Sequence, residues 1–377
     1  MTNFLGEPTK MRHLGAVLRL VLFMVCAGSL AFAITPDVPR IEAESMEQEL
    51  RLGAAFLTGR GVARDEKQAA YWYEKAANAG DPAAEEQIGY FYLVGIGVPR
   101  DPVRATHWYA LAVAGGSISA KVCLGVAYIW GIGVRKDVAF AADLFRQAAE
   151  RGDGTGAAYL GDMYYFGALI PKDTAVAEHW YEVGAKLHDP QSEFRLAEIL
   201  SNRQSANRDL KKEASLLRDA SSKGFVPAKH ALGLMLVNHP NLASTPQEAI
   251  ESLGEAAEAG TWKSSAVLGI LARDGRGVAA DPRIAYFHFR VAELQGGKNA
   301  SNLLANDLRL QSGKLTSAEI EQANRDAADW LRKHPIALQF VYKDGARSKY
   351  YPAYALTTAD NEVHAGYLIP TPFAQRE

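Results

Sequence analysis

The apolar positions of this chain fall at helical spacing, and the pattern recurs. Between Ala84 and Gly116, Ala84, Ile88 and Tyr92 recur every fourth residue and so share one face of a helix. Gly89 beside them leaves room for a neighbouring backbone. Gly95-Ile96-Gly97-Val98-Pro99 then breaks the helix, because glycine accepts positive φ and the residue before a proline avoids the α region. Asp101 reads as an N-cap, with Pro102 in the first helical position. Ala105, Trp108, Tyr109 and Ala112 give a second helix its apolar face, and Gly115-Gly116 closes it. One such hairpin cannot bury its own apolar face. It must stack on copies of itself.

The copies are present at a constant step. The glycine of the first helix falls at Gly53, Gly89, Gly125, Gly161, Gly233 and Gly269, with Ala197 in the fifth place, so each step is 36 residues. The closing glycine keeps the same step at Gly80, Gly116, Gly152, Gly224, Gly260 and Gly296, with His188 as the exception. A fixed period of this size predicts an all-α chain: an α-solenoid of about seven 36-residue helix-turn-helix repeats, each touching only its neighbours. The first, second, third and seventh copies are regular. The fourth has Leu169 for its second loop glycine, and Ser201-Asn202-Arg203-Gln204-Ser205 and Asn238-His239-Pro240-Asn241 replace the glycine loops of the fifth and sixth.

The repeats, residues 47–296, have distinct flanks. From Met11 the chain carries Arg12, His13 and Arg19, an apolar run from Leu20 to Leu30, and then Ala31-Phe32-Ala33. This is the layout of a secretory signal over residues 1–33, cleaved after Ala33, with an uncleaved anchor as the alternative. The run is too short for a comfortable membrane span. Residues 34–46 form a lead-in. Residues 297–334 are expected to cap the stack, with a further first-type helix near Leu303-Leu304. A second capping helix opens at the capping box Thr316-Ser317-Ala318-Glu319, with Ile320, Ala323, Ala327 and Trp330 facing inward. Residues 335–377 lose the period. Leu338-Gln339-Phe340-Val341-Tyr342 suggests a strand, and a small docked hairpin and a partly ordered tail stay open for this stretch.

Charge and cysteine content narrow the setting. The formal net charge is −2; losing Lys10, Arg12 and Arg19 against Glu7 with the signal takes it to −4, which gives no electrostatic reason for nucleic acid as a partner. Cys26 leaves with the signal and Cys123 stands alone, so an oxidising compartment is tolerated without an intramolecular disulfide. Cys123, just before Leu124-Gly125, reads as a small buried apolar residue. The expected location is periplasmic or secreted, with no stable membrane span after cleavage.

No enzyme constellation stands out. The chain lacks His-Glu-x-x-His, Gly-x-Ser-x-Gly, a Walker loop and a Cys-x-x-Cys pair. The Gly-x-Gly-Val segments lie between helices rather than after a strand, which makes them turns and not phosphate loops. The nine histidines do not cluster; His107 and His179 read as edge residues, and no metal or cofactor is implied.

The combined motif L-G-x-x-Y-x-x-G-x-G-V, then Asp, then Ala-x-x-W-Y-x-x-A-A-x-x-G at this period resembles the Sel1-like repeat family, a relative of tetratricopeptide arrays. The resemblance covers roughly residues 47–296 and implies antiparallel helix pairs in a right-handed superhelix that holds other proteins. It implies no reaction. Members with a cysteine pair in each repeat have been linked to β-lactam chemistry; this chain has neither that pair nor a Ser-x-x-Lys site.

In related arrays the first helices line the concave side. On that register repeats two to four bring together Tyr90, Leu93, Val122, Val126, Ile129, Trp130, Tyr165 and Phe166 as an apolar, aromatic patch for a protein or peptide partner. The preferred reading is an exported, non-catalytic scaffold. The alternative is a cell-wall-associated protein that binds or modulates peptidoglycan enzymes, or a minor hydrolase using the inner-column pair Asp162 and Glu198.

Overall fold

The computed structural model describes residues 45–167, 169–202 and 208–334. The predicted signal, most of the lead-in and the 335–377 tail lie outside these residues. Among the described residues the chain forms fifteen α-helices and no strand. The first helices of the seven repeats are α1 (Met46–Thr58), α3 (Pro82–Val94), α5 (Ile118–Trp130), α7 (Gly154–Phe166), α9 (Pro190–Ser201), α11 (Val226–Asn238) and α13 (Trp262–Asp274). The second helices are α2 (Glu66–Asn78), α4 (Pro102–Ala114), α6 (Val138–Glu150), α8 (Thr174–Lys186), α10 (Leu210–Ser222), α12 (Glu248–Glu258) and the start of α14 (Pro282–Ser312), with α15 (Ser317–Lys333) at the end. Each helix packs chiefly on the helices before and after it in the chain, as a solenoid requires.

Local sequence sets the boundaries. Asp65, Asp101, Asp137 and Asp173 each accept backbone N–H groups at the start of a second helix, and Gly59, Gly95, Gly131, Gly167 and Gly275 end first helices in the left-handed conformation. His188, which replaces a closing glycine, still adopts φ 60. Leu169 packs against the core cluster around Tyr159 and Leu160. In the sixth repeat a short 3₁₀ turn, Pro240–Leu242, takes the place of the glycine loop.

The helix glycines are packing notches. Gly53, Gly89, Gly125, Gly161 and Gly269 lie against the rings of Tyr73, Tyr109, Phe145, Tyr181 and Phe289, and an added methyl would come within 2.5 to 2.9 Å of them. Each ring is 20 residues on from its glycine. In the fifth repeat Ala197 fills the notch and Leu217, also 20 residues on, replaces the ring; both are buried in one cluster. Volume added on one side is removed on the other, which keeps the core near native packing density.

A polar pair joins the two helices of several repeats. Glu49 meets Lys75 at 2.8 Å, Lys121 donates to Gln147 Oε1 at 2.7 Å, and Lys229 meets Glu255, in each case 26 residues apart. In the second repeat the same offset from Glu85 falls on Leu111. Glu85 is buried with one carboxylate oxygen lacking a hydrogen bond, and burial, then nearby Asp81, raises its pKa. Leu111→Lys restores the partner and is expected to add about 1 kcal/mol, roughly 2 °C in Tm. An unchanged melting curve would contradict this account of Glu85.

At the C-terminal end α14 breaks at Gly297 (φ 56, ψ −140), and the segment beyond it is the expected further first-type helix, with Leu304 buried. The capping box at Thr316 and Glu319 is formed, and Ala323 and Ala327 of α15 are buried. Trp330 packs against the cluster around Leu253 and Leu268. No described helix is long and apolar enough to cross a membrane.

Candidate functional site

The eight residues predicted to form a partner-binding patch divide into two groups. Leu93, Val122, Val126 and Ile129 are core residues, 2 to 5% exposed. This corrects the expectation that they face a groove. The glycine notches draw the helices so close that these positions are covered by the adjoining helices. Tyr90, Trp130, Tyr165 and Phe166 are half-buried and keep a reachable edge.

The accessible strip therefore follows the C-terminal ends of the first helices. Val94, Trp130 and Phe166 are the last residues of α3, α5 and α7, each one repeat apart, and all three are half-buried. Tyr165 meets Phe166 edge to face at 5.1 Å between ring centroids. The corresponding residue of the next repeat is Asn202, so the aromatic character ends there.

At that end sits a polar clasp. Asp162, 0% exposed, accepts hydrogen bonds from Tyr181 (2.6 Å) and from Gln191 Nε2 (2.5 Å). Arg195 Nε lies 3.3 Å from Asp162, while its Nη1 donates to Glu198 at 2.6 Å. The guanidinium also lies over Phe166, 4.7 Å from the ring centroid. Burial raises the Asp162 pKa, opposed by Arg195, Tyr181 and Gln191; burial, then the Asp162 charge, pushes the Tyr181 phenol well up. Sequence reasoning singled out Asp162 and Glu198 as an acidic pair but missed Arg195. Its only signal was a cation at a helix position that holds Gln87, Cys123 and Tyr159 in the preceding repeats.

A glycosidase-type pair needs two carboxyl groups flanking substrate. Here Asp162 is sealed from solvent, with donors committed to both oxygens and Arg195 bridging it to Glu198. The pair is a structural clasp between α7, α8 and α9. Cys123 is half-buried, and burial, then nearby Glu86, pushes its thiol well above the ordinary range, in keeping with an inert apolar role.

Two histidines give the stack an acid limit. Burial, then the charge of Lys263, lowers the His230 pKa to about 4, and burial alone lowers that of His288 to about 4. His230 Nδ1 lies 2.8 Å from Ser264 Oγ in the next repeat. Because the folded values lie below the ordinary value of about 6.5, the stabilisation is complete above pH 6.5 and is lost as pH falls toward 4. The loss is expected to be about 2–3 kcal/mol for each histidine by pH 4.5. Asp189, raised by burial to about 6, runs the opposite way. The readout is therefore a difference between proteins: the Tm of His288→Leu minus that of wild type should rise between pH 7 and pH 4.5. An equal difference at both pH values would refute the assignment.

The Sel1 repeat family model matches residues 49–81, 82–117, 121–153, 155–189 and 264–297. The chain is a Sel1 repeat protein, of a family that commonly mediates protein–protein interaction and whose scaffolds are generally non-catalytic. No curated protein matches it. Among solved structures it is similar to a Sel1 repeat protein from Oxalobacter formigenes, with 25% identity, a TM-score of 0.57, and coverage of 66% of this chain and 99% of that one. It also matches a protective antigen of uropathogenic Escherichia coli at 24% identity and TM-score 0.45, covering 77% of this chain and 69% of that one. An immunity protein from Pseudomonas aeruginosa matches at 21% identity and TM-score 0.38, covering 57% and 82%.

Proposed function

We propose that this chain is an exported scaffold that holds a segment of another protein along the first-helix ends of repeats two to four and catalyses nothing itself. The observation that carries the reading is the strip of Tyr90, Val94, Trp130, Tyr165 and Phe166, half-buried in three successive repeats, with four aromatic rings beside the core residues Leu93, Val122, Val126 and Ile129. Aromatic side chains with an accessible edge supply large contact area at small entropic cost, which is why they dominate interface energies. The family's common use in protein–protein interaction supports the class, and the layout of residues 1–33 supports export.

The test compares the exported chain with its Tyr90→Asp/Trp130→Asp variant in pull-downs from envelope extract. Circular dichroism first establishes that the variant keeps its helices. A defined set of proteins retained by wild type and lost at least tenfold by the variant is the expected result. Equal retention by both would remove this strip as the site. N-terminal sequencing of the protein from the envelope fraction should begin at Ile34; a start upstream of it would overturn cleavage after Ala33.

A further inference from the structure

The loops beside the aromatic strip carry a second periodic column. Eleven residues after each first-helix glycine, or after Ala197 in the fifth repeat, stand Arg64, Arg100, Lys136, Lys172 and Arg208, one per repeat. The first four are exposed. Their position is fixed by the glycine that ends each first helix. A methyl on Gly59, Gly95, Gly131 or Gly167 would meet the Cβ of Arg64, Arg100, Lys136 or Lys172 at 3.6, 3.5, 3.7 and 2.5 Å. Those glycines directly follow Thr58, Val94, Trp130 and Phe166, so in repeats two to four a cation lies beside each member of the apolar column. Two contacts show how near: Lys172 Nζ sits 5.6 Å from the Tyr165 ring centroid, and Arg100 Nε donates to the Leu93 carbonyl at 3.0 Å.

Helix capping accounts for one contact of Arg100, to the Leu93 carbonyl, but not for the column as a whole. A basic group near a helix C-terminus is favourable, yet the seventh repeat, with the same left-handed Gly275, has Ala280 at this position. The neighbouring carboxylates Asp101, Asp137 and Asp173 are engaged as N-caps by the backbone of α4, α6 and α8. Among the described residues Arg135 and Lys136 form no ion pair, whereas Arg208, past the end of the aromatic column, is taken up by Glu213 at 2.8 Å. Arg64, in the first repeat, is taken up by Glu66 at 2.7 Å, so among the described residues exposed cations without an ion pair coincide with the half-buried aromatic rings in repeats two to four.

Resting on the proposed scaffold function, we infer that the partner segment is an acidic peptide stretch with apolar anchors, its anchors on Val94, Trp130 and Phe166 and its carboxylates on Arg100, Lys136 and Lys172. Neighbouring first helices pack about 10 Å apart, which is about three residues of extended chain. A carboxylate at every third or fourth position matches that step. An extended segment fits better than a lipid surface because the aromatic edges are half-buried between helix ends rather than protruding.

The test is a selection of random twelve-residue peptides displayed against the chain, followed by affinity measurement on the best binder. Enrichment of Asp and Glu together with Trp, Phe or Leu is expected, with affinity falling as salt rises. The Arg100→Glu/Lys136→Glu/Lys172→Glu variant should weaken that peptide at least tenfold, whereas Lys136→Arg/Lys172→Arg should stay within about threefold. Selected peptides without acidic enrichment, or an unchanged affinity after charge reversal, would overturn the inference. If Trp130→Ala/Phe166→Ala abolishes binding while charge reversal does not, the aromatic strip stands and the acidic partner falls. If neither variant affects binding, or no peptide is enriched over a bead control, both fall. Binding of wild type, but not of the charge-reversal variant, to phosphatidylglycerol vesicles with no acidic peptide enriched would replace the peptide by a membrane surface.

Discussion

Replacing Gly133 by alanine is expected to cost about 3–4 kcal/mol, while the equivalent change at Gly61 costs about 1 kcal/mol. Both glycines are the second of their loop and both are left-handed, at φ 67 and φ 77. They differ in what lies above them. A Cβ on Gly133 would fall 2.0 Å from the carbonyl oxygen of Pro102, at the start of α4 in the preceding repeat. Gly97 makes the same approach to the Glu66 carbonyl at 1.9 Å, whereas a Cβ on Gly61, in the first repeat, meets nothing within 4 Å. The left-handed penalty is common to all three positions; the backbone clash exists only where a preceding repeat lies beneath the loop. Guanidinium denaturation of the two variants beside wild type measures the difference. Equal losses would mean that loop conformation alone, and not the junction between repeats, sets the requirement.

Removing Arg195 is expected to be comparably severe. Arg195→Ala leaves Asp162 ionised or protonated in a site with no access to solvent, and the loss of one partner of a buried pair costs about 3–5 kcal/mol. The cation also fills space over Phe166, so the truncation opens a void as well. Asp162→Asn/Arg195→Met removes both charges, keeps the carboxamide as acceptor for Tyr181, and restores an unbranched side chain over the ring. It should lie within about 1 kcal/mol of wild type. Denaturation midpoints for the single and double variants decide the matter; a double variant as unstable as Arg195→Ala would show that the stacking, not the charge balance, carries the energy.

The two predictions concern the same structural theme, the junction between repeats, and it is there that sequence and structure part. The sequence determined the repeat. Gly125 is required by the ring of Phe145, Asp137 by the free N–H groups of α6, and Gly131 by the left-handed end of α5. These are contacts within one 36-residue unit, so local chemistry states them and periodicity repeats them. The substitution of Ala197 for glycine was visible too, although its compensation by Leu217 became evident only when the two were found in one cluster.

The exposure of the candidate strip was legible in part. The column positions offered eight residues as exposed; Tyr90, Trp130, Tyr165 and Phe166 are half-buried, whereas Leu93, Val122, Val126 and Ile129 are in the core. Helical register gives the direction of a side chain relative to its own axis, but not how near the next helix lies. That distance is set by the glycine notches and by the loops that close over the preceding repeat. The tertiary structure also decided the role of Asp162. In the sequence it is one carboxylate a repeat away from another; in the fold it is sealed under Arg195, Tyr181 and Gln191, contributed by two other helices. What the sequence by itself determined is the unit and its number, because these depend on turn chemistry and spacing along the chain. Which faces of that unit reach solvent was decided only by tertiary packing, because burial depends on the gap between neighbours.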